Sequence, residues 1–148
     1  MRQNHMIRIW HTVIVIVVFG LLAAGCSRGL DESQVPYADS MLENILEGIA
    51  EQDYGKFSSD FNENMKDAVK EDDFHSLIAT LDETCGEYEG RSFSSAARAA
   101  GAGSEITIVK YQATYSRDSD VVITVYFNEQ QETMWIEGLL FDSPSINE

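Results

Sequence analysis

Beyond its first 25 residues the chain holds one histidine, His75, and one cysteine besides Cys26, namely Cys85. That bounds the chemistry at once. A His-based zinc site needs three or four convergent ligands, and a Ser-His-Asp set needs its base, so either would have to be built around His75 alone. His75 adjoins Phe74 in a helical pattern and reads as a surface residue. Cys85, at the end of that helix, reads as a buried structural thiol, with a reactive or intermolecular thiol as the rival reading. Glu71, Asp72 and Asp73, and the pair Asp118 and Asp120, lack the alternating oxygen ligands, central glycine and distal glutamate of a calcium loop. They read as helix-start and hairpin polarity, so no metal, cofactor or catalytic set is expected. The aromatic side chains remain: Tyr54, Phe57, Phe61, Phe74, Tyr111 and Trp135 have helix and strand spacings that suit a plain core or the wall of an apolar pocket.

Cys26 has its own chemistry. Met1 to Trp10 carries Arg2 and Arg8 without an acid, Thr12 to Ala24 is an unbroken apolar run, and Gly25 and Cys26 follow. Crossing a bilayer as a permanent helix takes nearer 20 apolar residues, so this is the layout of a cleaved leader, residues 1–25. Leu22-Ala23-Ala24-Gly25-Cys26 resembles the lipobox of bacterial-type lipoproteins, with Ala23 where leucine is usual. The resemblance implies a lipid on Cys26, which becomes the new N-terminus. The protein would then be exported and would face outward from the cytoplasmic membrane, or from the outer membrane of a host that has one. Residues 26–35 are polar and read as the lipidated end and a flexible tether.

The chain carries 25 acidic residues against ten basic ones, for a formal charge of −15. Since Arg2 and Arg8 lie in the leader, the remainder is more acidic still. Phosphate recognition rests on clustered Lys and Arg, and the basic residues here are scattered singly, which excludes nucleic acid as a partner and disfavours direct adsorption to anionic headgroups. The surface reads as solvated and soluble.

Residues 36–142 read as one α+β domain, with 143–148 as a tail. Pro36 suits a first helical turn, and Ala38, Met41, Leu42, Ile45, Leu46 and Ile49 follow at helical spacing. Asp53 to Val69 predicts one or two short helices broken near Ser58 and Ser59. Phe74, Leu77, Ile78 and Leu81 mark a further helix, favoured at its start by Glu71 to Asp73 and ended by Gly86. From Glu87 the period changes to two. Strands are expected over Ile106 to Tyr115, Val121 to Phe127 and Met134 to Phe141, with an edge strand within Tyr88 to Ala100. Turns at Arg117 to Asp120 and Asn128 to Gln131 would make them an antiparallel meander. The count is three helices and four strands.

This order contains Asp53-Tyr54-Gly55-Lys56-Phe57, Cys85-Gly86-Glu87-Tyr88 and Glu137-Gly138-Leu139. It resembles an uncharacterised family of exported domains in the nuclear transport factor 2-like (cystatin-like) superfamily, over most of Pro36 to Phe141. The resemblance implies a cone: N-terminal helices against a strongly curved antiparallel sheet, with an apolar pocket between them. Members similar to ketosteroid isomerase use a buried carboxylate as base beside acidic hydrogen-bond donors. Tyr54, Asp60, Tyr111 and Glu137 are the polar groups this chain offers for such a role, and nothing in the sequence brings two of them together.

The leading expectation is a membrane-anchored, non-catalytic binding domain for a small apolar ligand or a protein. The alternative is a carboxylate-dependent isomerase or hydrolyase in the same pocket. A third reading is a homodimer through the sheet, with Tyr111, Ala113 and Tyr115 packed against a second copy.

Overall fold

A computed structural model describes residues 28–100 and 103–146. The first element is a short strand, β1 (Arg28–Leu30), followed by a single 3-10 turn at Glu32–Gln34. Helix α1 (Pro36–Glu51) begins on its proline and buries Ala38, Leu42, Ile45 and Leu46 along one stripe. Gln52 ends it in the left-handed conformation, with φ 55°, and its N–H reaches the Gly48 and Ile49 carbonyls. Helices α2 (Tyr54–Phe57) and α3 (Glu63–Ala68) are each one turn or little more, and side chains start both of them. The Asp53 carboxylate accepts from the Lys56 N–H at 3.0 Å, and the Asn62 side chain from the Met65 N–H at 2.8 Å. Helix α4 (Glu71–Thr84) opens with Asp73 accepting from the Lys70 N–H at 2.9 Å. Part of the acid cluster thus serves the helix start. Gly86, at φ 84°, turns the chain into the sheet, where any Cβ would collide with the Ser116 hydroxyl.

Four longer strands follow: β2 (Tyr88–Ala100), β3 (Glu105–Tyr115), β4 (Asp118–Gln130) and β5 (Thr133–Asp142). The sheet is an open antiparallel meander in the order β1-β2-β3-β4-β5. Irregularities in three of its ladders bend it, and at one of them Glu137 is an extra residue: Tyr126 faces Gly138 while the next residue, Phe127, faces Ile136. One face of the sheet is buried with the helices. Val109, Tyr111, Ala113, Ile123, Val125, Phe127 and Ile136 meet Leu42, Ile45, Phe57, Phe61, Phe74 and Leu81 in a single core. Each such large side chain contributes about 1.5–3 kcal/mol by leaving water. The Tyr37 ring of α1 stands edge-on to Phe127 of β4 at 5.1 Å, which locks the first turn of α1 to the sheet.

The α+β class stands, and so does the order of helices before the long strands. The counts do not: among the described residues there are four helices and five strands rather than three and four. Asp53 to Val69 holds two separate helices because Phe61 leaves helical conformation to bridge Ile136 on the outer edge of β5. The extra strand is β1, which pairs with Ala96–Arg98 inside the stretch expected as a tether. At the other end, Ser143 is buried and its hydroxyl donates to Asp118. Both hairpin turns are tighter than expected, at Ser116–Arg117 and Gln131–Glu132. Tyr111, Ala113 and Tyr115, the expected dimer face, are at most 4% exposed and lie in the protein's own core.

Candidate functional site

At one edge of the helix–sheet sandwich a cation is held between α1 and β2. Asp39 and Glu43 are four residues apart, so α1 presents both carboxylates on one face. Arg91 of β2 answers them: Nη2 lies 2.7 Å from Asp39 Oδ1, and Nη1 lies 2.6 Å from Glu43 Oε2. Nη1 also approaches the Tyr88 hydroxyl at 3.4 Å. The guanidinium carbon stands 5.8 Å from the centre of the Tyr111 ring, and Phe93 meets that ring edge-on at 6.1 Å. The Arg91 side chain is only 12% exposed, and its Nε is buried without a hydrogen-bond partner among the described residues.

Burial works against the charge on Arg91. The hydrogen bonds to Tyr88, Glu43 and Asp39, with the charge of Asp39, outweigh it and hold the pKa above its ordinary value. Burial, and then the Asp39 carboxylate, push the Tyr111 phenol up to about 12, a rise that Arg91 partly opposes. Both groups therefore keep their protons near neutral pH, and neither is a general base there. These residues border an open groove of about 530 Å³, which Glu32, Asp39, Arg91, Tyr88, Phe93 and Tyr111 line. It has aromatic walls and a carboxylate excess.

The six aromatic side chains singled out from the sequence separate into three places. Tyr54, Phe57, Phe61 and Phe74 pack ring on ring, with centroids 4.6 to 6.3 Å apart. The last three are at most 1% exposed, so their rings face one another. Tyr111 lines the groove with Arg91 instead. Trp135 is half-buried on β5, with the Lys66 ammonium 6.0 Å from its ring.

The polar candidates are also dispersed. Tyr54 donates its hydroxyl to the Val69 carbonyl at 2.6 Å, and Asp60 accepts from the Asn44 amide at 2.8 Å. Glu137 is half-buried in the irregularity of β5, and burial raises its pKa. Asp60 and Glu137 come to one edge, since the N–H of Ile136, next to Glu137, donates to the Asp60 carbonyl. Cys85 is fully buried with the Thr84 hydroxyl 3.4 Å away, and the His75 side chain is 54% exposed with Nε2 4.0 Å from Glu71. No group of three or more His, Cys, Asp or Glu side chains among the described residues is placed to hold a metal. Cys26 and the apolar run before it lie outside the described residues, and no described helix is long and apolar enough to cross a membrane.

Sequence reasoning did not find Arg91. It is one of two arginines in a stretch rich in Ser and Ala and matches no motif, and its two partners lie 52 and 48 residues earlier. The one usable signal was on α1, where Asp39 and Glu43 share a helix face and imply a cation opposite. Among known proteins, residues 43–138 match a family model described as a protein of unknown function (DUF3887). No curated protein and no solved structure matches the chain.

Proposed function

The chain belongs to that DUF3887 family, and from this premise we propose an exported protein, tethered by a lipid on Cys26, whose domain binds a small ligand without transforming it. The observation that carries the reading is the groove beside Arg91. Its fixed cation is already matched by two carboxylates, and its titratable Tyr111 stays neutral across the physiological range. Such a site orients and holds: the guanidinium is fixed by its two carboxylates, and the Tyr111 phenol keeps its proton. The rings of Tyr88 and Phe93 offer surface to an apolar body, and the Glu32 carboxylate favours a positively charged end. The ligand class is therefore a small organic cation with an apolar portion. The order of four helices before a bulged antiparallel sheet supports the nuclear transport factor 2-like reading, in which this groove would be the mouth of the cone.

The test is a thermal-shift comparison on the whole mature protein in detergent, with tryptamine set against its neutral alcohol counterpart. At about a hundred times its dissociation constant a ligand adds roughly 2.7 kcal/mol. A shift of several degrees with the amine, lost in Glu32→Gln, supports the reading; equal behaviour of amine and alcohol overturns the ligand class. The anchor has its own test. Cys26→Ser should release the chain from membranes or leave it unprocessed, and unchanged size and retention would remove the lipid from the account.

A second reading rests on Glu137, a half-buried carboxylate whose pKa is raised by burial and which sits at a sheet irregularity, where such side chains are re-aimed. On this reading the domain abstracts a proton next to a carbonyl. Exchange of such protons in a cyclic enone, abolished by Glu137→Gln, would support it, and exchange no faster than in buffer would exclude it.

A further inference from the structure

The strand register sets two arginines face to face at the start of the domain. Arg28 of β1 is the direct partner of Arg98 on β2, so both side chains leave the same face of the sheet. Like charges opposite each other in a ladder are destabilising, and this pair stands on an otherwise strongly acidic protein. Glu105 compensates only in part: one carboxylate, 3.4 Å from Arg98 Nε, stands against two guanidinium charges. The two arginines border a groove of about 320 Å³ together with Ser104 and Glu105, whose carboxylate is drawn to Arg98 Nε. The Ser104 oxygen accepts from the Asn128 amide at 2.6 Å, so its own hydrogen is available to donate. Two guanidinium groups and a hydroxyl around one groove are the donor set for a phosphate.

The position says which phosphate. Cys26 is two residues before Arg28, and two residues span at most about 7 Å. We propose that Arg28 and Arg98 clamp the phosphate of an anionic phospholipid and so dock this corner of the sheet on the membrane. This rests on the lipid at Cys26, which confines the corner to headgroup depth. The acidic remainder of the domain is repelled by the same surface, which fixes the orientation. The isolated arginines of the sequence thus meet only through a pairing between residues about seventy positions apart.

The test uses the full-length chain in vesicles, either of phosphatidylcholine alone or with about a third phosphatidylglycerol, and reads amide hydrogen exchange at Arg28–Leu30 and Ala96–Arg98. The expected result is exchange of these amides roughly twenty-five-fold slower on the anionic vesicles, since each of the two arginines adds about a fivefold preference for such a surface. The difference should vanish in an Arg28→Gln/Arg98→Gln variant and in high salt. Equal exchange on the two vesicle types overturns the proposal. So does equal slowing in detergent with inorganic phosphate, which would make the groove a site for free phosphate. Intact mass reports Cys26 separately: an unmodified cysteine with the difference retained overturns the anchor and leaves the arginine pair standing.

Discussion

A Cβ placed on Gly48 of α1 would lie 2.5 Å from the backbone nitrogen of Phe57 on α2. The two helices meet backbone to backbone at that point, and only hydrogen fits between them. Alanine would gain the helix about 1 kcal/mol in propensity. The overlap is with backbone, which cannot rotate away, so strain prevails. Gly48→Ala is expected to destabilise the protein by roughly 2–3 kcal/mol, read as a fall in the midpoint of urea unfolding. A midpoint at or above that of the parent would show that α2 can slide on α1.

Arg91 should be irreplaceable by lysine. A guanidinium reaches Asp39 and Glu43 through different nitrogens, whereas an ammonium is a single point of charge. Arg91→Lys is expected to cost about 1 kcal/mol and Arg91→Gln about 2 kcal/mol, the second leaving two carboxylates unanswered. Calorimetric unfolding checks both, and equal stability of the lysine variant would refute the two-pronged geometry.

Two carboxylates should move acid stability in opposite directions. Hydrogen bonds from Ser143, the Asp120 N–H and Ser145 hold Asp118 below the ordinary carboxylate range, whereas burial holds Glu137 above it. A lowered folded pKa contributes stability that is present at neutral pH and is lost as pH falls through that pKa. A raised one contributes stability that is present in acid and is lost as pH rises through it. Asp118→Asn should therefore be less stable than the parent at pH 7 by about 1 kcal/mol, with the gap closing below about pH 4. Glu137→Gln should be more stable at pH 7 by about 0.5 kcal/mol and equal to the parent in acid. Unfolding midpoints between about pH 3 and pH 8 check both signs.

The β4–β5 turn is built on unsuited residues. Gln131 and Glu132 both adopt positive φ, 52° and 62°, the pattern of a type I′ hairpin that an Asn-Gly pair forms with least strain. Gln131→Asn combined with Glu132→Gly should therefore stabilise the protein by about 1 kcal/mol. Thermal unfolding would show the rise, and no change would mean that the strands alone hold the turn.

The parts of the fold that could be read from the sequence are those governed by local period. Ala38 to Ile49 and Phe74 to Leu81 repeat at helical spacing, and the alternation in Val121 to Phe127 is maintained by a sheet with one buried face. The missed strand β1 has three residues, one of them Gly29, and its order comes from Ala96–Arg98, far along the chain. Local pattern has no access to such a pairing. The same limit applied to the site. Spacing identified Phe57, Phe61 and Phe74 as inward, but whether three inward rings enclose a space or fill it depends on distances between elements. Here they fill it, at 4.6 and 5.1 Å. Arg91 was illegible because its importance lies in what faces it.

Both margins of the sheet are partly occupied by the chain itself. On one side β1 lies along Ala96–Arg98; on the other the Asp60 carbonyl and the Asn62 N–H bond to the backbone of Ile136. Unpaired strand margins are templates on which a neighbouring copy can add its own strand and start a fibril. The three-residue strand and the Phe61 bridge thus act as edge guards: each covers part of a margin that would otherwise accept a strand from another copy.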